Sequence, residues 1–267
     1  MQFRTVVNIE QPSFSIPPCE QMLFVGSCFA DSIGQRFVAD KFRATVNPFG
    51  VMYNPVSILH TVKRCEEIPH VAVFTLGTNH VYILKETGEI VDNCQKRPQR
   101  LFEERQLTIN ECVDALSQAV EMLEARYADV KIIVTVSPIR YAKYGFHGSQ
   151  LSKSVLLLAA DALVQKYPES VSYFPAYEIV NDELRDYRFY KEDMLHPSDQ
   201  AVEYIWQRFS EIYFAPETMR FLELWRPVKE ALGHRPFNPD SDEYRAFMAK
   251  TMQRAEMLKQ KYPGLII

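Results

Sequence analysis

Short apolar runs alternate with stretches of helical period along most of the chain. The runs Met22-Leu23-Phe24-Val25, Val71 to Leu76 and Val130 to Val136 are each bounded by polar or turn residues and predict buried strands. Val171 to Phe174 is a weaker fourth. Between them, Phe29, Ile33 and Phe37 mark one helical face, Val113, Leu116, Val120 and Leu123 a second, and Val155, Leu158, Ala162 and Leu163 a third. Ser152 is placed to cap the third helix. Strand–helix alternation of this kind predicts an α/β fold with a mainly parallel sheet. After Phe214 the pattern changes: Pro216 to Leu232 and Ser241 to Lys261 predict two helices with no strand between them. The expected organisation is a main domain over residues 1–214 and a helical C-terminal extension over 215–267, packed on it.

Composition narrows the function classes. At 267 residues the chain has room for a continuous core, and 47% apolar against 24% charged residues excludes a disordered chain. The net charge of −4, with no run of five basic residues, argues against nucleic-acid or membrane partners. Neither G-x-G-x-x-G nor a P-loop occurs. The five cysteines include no C-x-x-C and the six histidines no H-E-x-x-H, so no metal, cofactor or disulfide framework is expected. The N-terminus lacks a leader pattern, and no segment reaches 18 apolar residues; a soluble, cytoplasmic protein is the expectation.

In open α/β sheets the chemistry lies just beyond the carboxyl ends of the strands. The first strand delivers Gly26-Ser27-Cys28-Phe29-Ala30-Asp31, where a glycine turn followed by serine and a helix can expose a nucleophile beside free N–H groups. The same residues also read as a plain turn with an N-cap. Val46-Asn47-Pro48-Phe49-Gly50 reads as a proline turn. Thr75-Leu76-Gly77-Thr78-Asn79-His80 follows the second strand, and its glycine would let the backbone approach a ligand while the Asn79 carboxamide donates. In Asp193-Met194-Leu195-His196, an aspartate three residues before a histidine can hold one imidazole nitrogen while the other serves a serine.

Gly26-Ser27-Cys28-Phe29-Ala30 spells the signature of the GSCFA family, a branch of the SGNH/GDSL-like hydrolase superfamily, and the chain resembles that family along nearly its whole length. The resemblance continues through Asn47-Pro-Phe-Gly50, Tyr53-Asn54-Pro55, Thr75-Leu-Gly-Thr78 and Asn93-Cys94-Gln95-Lys96. It runs on through Val136-Ser-Pro138, Asp182 to Tyr190, Asp193-Met-Leu-His-Pro197 and Arg235-Pro-Phe-Asn-Pro239. It departs from the family at Asn79-His80, at Gln95 and in a short Tyr53–Phe74 stretch.

The resemblance implies a three-layer α/β/α sandwich, SGNH hydrolase-like and flavodoxin-like, working without cofactor on a small-molecule or carbohydrate ester. It implies Ser27 as nucleophile, His196 as general base and Asp193 as its orienter, with Ser27 N–H, Gly50 N–H and the Asn79 amide as oxyanion donors. Acyl transfer to a non-water acceptor on the same site, or a non-catalytic carbohydrate- or metabolite-binding descendant, are the alternatives. Asn47, Thr78, Lys96 and Arg140 are candidate substrate contacts, Arg140 also reading as a structural ion pair. Arg185 to Arg188 read as a salt-bridged brace for the Asp193–His196 loop. Cys28 is a rival nucleophile, weighed against packing as a small hydrophobe.

Overall fold

The computed structural model describes residues 1, 3–94 and 97–267. In chain order the elements are β1 (Gln21–Gly26), α1 (Cys28–Ala39), β2 (Arg43–Val46), α2 (Pro55–Arg64) and β3 (Val71–Leu76). Then come β4 (His80–Leu84), β5 (Ile90–Val91), β6 (Phe102–Gln106), α3 (Ile109–Arg126), β7 (Lys131–Val136) and α4 (Gly145–Lys166). The last third holds β8 (Val171–Tyr173), a short α5 (Ala176–Glu178) running on as a π-helical turn over Ile179–Glu183, α6 (Asp199–Tyr213), α7 (Pro216–Gly233) and α8 (Asp242–Lys261).

Five strands form one parallel sheet in the order β2-β1-β3-β7-β8. Alternation along each strand feeds two cores. Leu23, Val25, Ala72, Phe74, Ile132 and Val134 pack under α2, α3 and α4, whereas Met22, Phe24, Val71, Val73 and Ile133 face α1 and α6. The result is helix on sheet on helix, as expected. Phe37 anchors the second core, its ring 4.8–5.7 Å from those of Phe42, Trp206, Phe209 and Phe214. With the small sheet set aside, the strand order is the flavodoxin-like doubly wound one, whose crossovers reverse direction between β1 and β3. That crevice is where the carboxyl ends of both strands open.

The C-terminal helices share a separate cluster formed by Phe221, Trp225, Val228, Ala255, Leu258 and Tyr262 with Cys19. They are tied to the sandwich by Trp225 Nε1–H donating to Ala39 O, Lys229 to Asp40 and Thr218 Oγ1 to Ile16 O. Among the described residues no helix is long and apolar enough to cross a membrane.

Two features depart from the sequence reading. The third helix starts eight residues before its expected turn, at Gly145, so Ser152 is interior to it. There it accepts the Asn79 backbone N–H at 3.0 Å instead of capping the helix. The antiparallel sheet β5-β4-β6 was not expected. One of its two five-residue strands reads Phe102-Glu-Glu-Arg-Gln106, a charged stretch with a single buried apolar residue, which gives no period-two signal.

Candidate active site

The parallel register brings Gly26 opposite Thr75 and Leu76 opposite Val136, so Ser27, Gly77 and Ser137 lie along one edge of the sheet. The turn into α1 requires glycine: Gly26 has φ +146°, and a Cβ there would lie 2.2 Å from Thr75 O. Ser27 is fully buried as the N-cap of α1, its Oγ accepting Phe29 N–H at 3.2 Å. Ser27 Oγ and Thr75 Oγ1 share a further hydrogen bond of 3.2 Å.

Asn47 braces this turn. At φ +41° it turns its side chain inward, where Oδ1 accepts Gly26 N–H at 2.9 Å and Nδ2 donates to Asp31 Oδ1 at 2.7 Å. Both polar atoms of its side chain are thus engaged within the protein, and the turn expected from sequence is present. The following loop is pinned across the strand ends, with Met52 N–H donating to Gly26 O, and Gly77 N–H and Thr78 N–H both donating to Tyr53 O.

Asp193 and His196 form a pair: His196 Nδ1 lies 2.6 Å from Asp193 Oδ2, while Asp193 Oδ1 accepts the Leu195 and His196 backbone N–H groups at 2.8 and 3.0 Å. Those backbone donors, with His196 behind them, hold the Asp193 carboxyl down at about 2. The pair is solvent-facing, with side chains 44% and 40% exposed. Arg140, just past β7, fixes its loop: its backbone N–H donates to Leu195 O at 3.1 Å and its guanidinium to Met194 O at 2.9 Å. The guanidinium also stacks on Phe146 and Tyr190, 4.0 and 5.3 Å from the ring centres. Among the described residues Arg140 forms no ion pair, its guanidinium going to a backbone carbonyl and two rings in place of a carboxylate. The brace for the His196 loop is Arg140 and not Arg185 to Arg188, which form no ion pair among the described residues; Asp186 instead accepts Arg188 N–H.

Ser27 caps α1 and Ser198 caps α6, two helices whose first turns share a core through Phe29, Ala30 and Ala201. Arg36, about two turns into α1, and Glu203, about one turn into α6, form an ion pair between them. The turn carrying Ser27 and the loop carrying His196 thus lie at the same end of the sandwich. Among the described residues no hydrogen bond joins Ser27 to His196.

The three expected oxyanion donors are engaged elsewhere. Ser27 N–H donates to Thr75 O at 3.0 Å, and exposed Gly50 (φ +90°) closes a turn onto Asn47 O at 2.9 Å. The Asn79 carboxamide faces the small sheet, where Nδ2 donates to Leu107 O at 2.8 Å and Oδ1 is buried without a partner. The physical reason is the unforeseen sheet: Leu107 N–H also donates to Asn79 O, so the residue staples β6 to the end of β3. Thr78 is buried and bonded to Ser152 at 3.0 Å. Lys96 lies outside the described residues.

Sequence reasoning missed Lys153, Tyr53 and Tyr141. Lys153 is buried with no carboxylate, donating to Gly77 O and Ser137 O at 2.7 Å each, and burial pushes its ammonium down to about 7. It shares the buried face of α4 with Ser149 and Ser152, so its burial gave no clear signal in the sequence. Tyr53 hydroxyl lies 3.9 Å from Cys28 Sγ, and burial together with Cys28 pushes the phenol up to about 12. Tyr53 and Tyr141 meet edge to face at 6.1 Å and line a cavity of about 490 Å³ that reaches Thr78, His80 and the small sheet. His80, stacked on Tyr144 at 3.6 Å and 3.2 Å from Glu104, has its imidazole pKa lowered by burial. No group of three or more His, Cys, Asp or Glu side chains is placed to hold a metal ion among the described residues.

The GSCFA family model matches residues 21–70 and 67–209, and the model of the GSCFA domain protein C-terminal domain matches residues 225–266. The chain belongs to the GSCFA family. No curated protein matches it in sequence. Three solved structures are similar at a distance. One, from Streptococcus pneumonia, is described in connection with platelet activating factor; it is 15% identical over 73% of this GSCFA chain and 84% of its own, with a TM-score of 0.47. An acetyl esterase mutant crystallised with acetate is 12% identical over 76% and 98%, with a TM-score of 0.41. A carbohydrate esterase family 3 structure from Talaromyces cellulolyticus is 10% identical over 76% and 98%, with a TM-score of 0.40.

Proposed function

We propose that the protein is a serine hydrolase of SGNH type that cleaves a small acyl ester, with Ser27 as nucleophile, His196 as general base and Asp193 as its orienter. One observation carries this reading. A serine caps the helix that leaves the crevice-forming strand β1, and a carboxylate-held imidazole stands on the loop entering the neighbouring helix α6. With Nδ1–H directed at Asp193, His196 Nε2 is left to take a proton.

In the proposed cycle Ser27 Oγ turns from Thr75 toward His196 and attacks the acyl carbon, its proton passing to Nε2. The tetrahedral adduct collapses, the alcohol leaves with that proton, and water repeats the sequence to free the acid. A second reading, transfer of the acyl group to another alcohol, is favoured by the complete burial of Ser27, because a water-excluding site protects an acyl-enzyme until an acceptor enters. Product analysis with added alcohol or sugar acceptors separates the two.

The test is a fluorophosphonate probe and a panel of short-chain and acetylated-sugar esters, applied to the wild type and Ser27→Ala. Labelling and turnover in the wild type, both lost in Ser27→Ala, support the reading; wild-type turnover in Ser27→Ala overturns it. Iodoacetamide inactivation in the Ser27→Ala background would transfer the nucleophile role to Cys28.

A further inference from the structure

The N–H groups expected to serve the oxyanion are turned to protein acceptors: Ser27 N–H to Thr75 O, Gly50 N–H to Asn47 O, and one N–H of the Asn79 carboxamide to Leu107 O. One hydroxyl near Ser27 has none. Tyr141 OH is buried and makes no hydrogen bond among the described residues, whereas the Tyr141 backbone is fixed by Ser149. A buried, unpaired hydroxyl is costly, and natural structures keep one where a ligand or function completes it.

Its position is fixed by Gly77. A Cβ on Gly77 would lie 2.5 Å from Tyr141 OH and 3.4 Å from Ser27 Cβ, so the phenol and the serine approach one point from two sides. Only the missing side chain of Gly77 leaves that space open. The phenol ring is held in place by Tyr53 edge to face at 6.1 Å and by Lys153 Nζ at 5.1 Å from its centre. Burial, together with the nearby Tyr53 and Cys28, pushes the phenol pKa up, so the group keeps its proton and has it to donate. The ring also lines the 490 Å³ cavity together with Tyr53 and Thr78, the residues that flank Gly77 in the pinned loop.

We propose that the Tyr141 hydroxyl is the oxyanion donor of this site, a catalytic role for a residue outside the expected Ser, Gly and Asn set. The inference rests on the reading of Ser27 as nucleophile. As Ser27 Oγ bonds to the acyl carbon, the carbonyl π pair moves onto oxygen, and Tyr141 O–H donates a hydrogen bond to that oxygen without giving up its proton. When the adduct collapses the pair returns, the C=O reforms and the alkoxide leaves with the proton held by His196.

The experiment compares Tyr141→Phe with the wild type and with Ser27→Ala on a short-chain ester, together with binding of a phenylboronic acid, which forms a tetrahedral adduct with an active serine. Phenylalanine keeps the ring and removes only the unpaired hydroxyl. The expected result is a kcat about 100-fold lower at little-changed KM, a parallel loss of boronate affinity, and a Tm equal to or above the wild type. A wild-type kcat in Tyr141→Phe overturns this assignment while leaving Ser27 in place. So does a lowered Tm with KM and kcat falling together, which would mark a structural hydroxyl. A wild type without Ser27-dependent turnover overturns both readings.

Discussion

Asn47 Oδ1 accepts the backbone N–H of Gly26 at 2.9 Å, so a residue at the end of β2 fixes the conformation of the residue immediately before Ser27. The same carboxamide reaches Asp31 in the first turn of α1, so one side chain ties strand, turn and helix together. Asn47→Ala strands the buried Gly26 donor and puts alanine, which tolerates the left-handed region less well than asparagine, at φ +41°. The expected loss is about 1–3 kcal/mol in denaturant unfolding, with ester turnover falling as the Ser27 turn relaxes. An Asn47→Ala protein as stable as the wild type would show that the turn needs no brace.

Gly77→Ala tests the space beside Ser27. The added methyl would stand 2.5 Å from Tyr141 OH and 2.8 Å from Tyr53 O, the second of which is backbone and cannot swing aside. Turnover should fall at least tenfold, with a loss of stability from overpacking of about 1–3 kcal/mol. Gly233→Ala is the control, since nothing lies within 4 Å of a Cβ there; it should leave both quantities near wild type.

The strands, their parallel pairing and the capped helix after Gly26 were legible because they follow from local rules: an apolar run, a positive-φ glycine, a serine followed by a helical stripe. The Asp193–His196 pair was legible for the same reason, its partners being three residues apart. What was not legible was the assignment of donors. Asn79 sits in the expected sequence context, but its amide is claimed by Leu107, at the end of a strand whose charged sequence gave no sign of pairing. Arg140 is likewise fixed by carbonyls of Met194 and Leu195, more than fifty residues away. Contacts of that separation depend on how the sheets are stacked, which periodicity does not encode.

Arg140 offers a positioning test. Its hydrogen bonds to Met194 O and Leu195 O hold the His196 loop to the end of β7. Arg140→Ala removes the guanidinium and its stacking on Phe146 but leaves the backbone bond, so the fold should stay within about 1 kcal/mol of wild type. Loosening of the imidazole should lower kcat by ten- to a hundredfold, the scale of an ångström-sized misplacement. Asp193 should not set the acid limb of the pH profile, because its carboxyl remains ionised down to about pH 2. Arg140→Lys restoring full kcat would show that charge alone suffices and that the fork-shaped contact does not matter.

Lys153 predicts an alkaline gain in stability. Burial lowers its folded pKa to about 7 from the ordinary 10.5, so between these values the unfolded chain binds a proton that the native chain does not. Stability then rises with pH, by at most about 1.4 kcal/mol per unit; below pH 7 both states are protonated and the slope vanishes. The cleanest window is pH 7 to 9, because above it the buried thiols of Cys19 and Cys112, pushed up to about 11 and 12, act in the opposite direction. Lys153→Met removes the titrating group and leaves Gly77 O and Ser137 O without their donor. In urea titrations across that window the wild type should gain stability relative to Lys153→Met as pH rises. A difference between the two proteins that stays constant from pH 7 to 9 would mean that Lys153 keeps its proton throughout and that two carbonyls suffice to hold a buried ammonium.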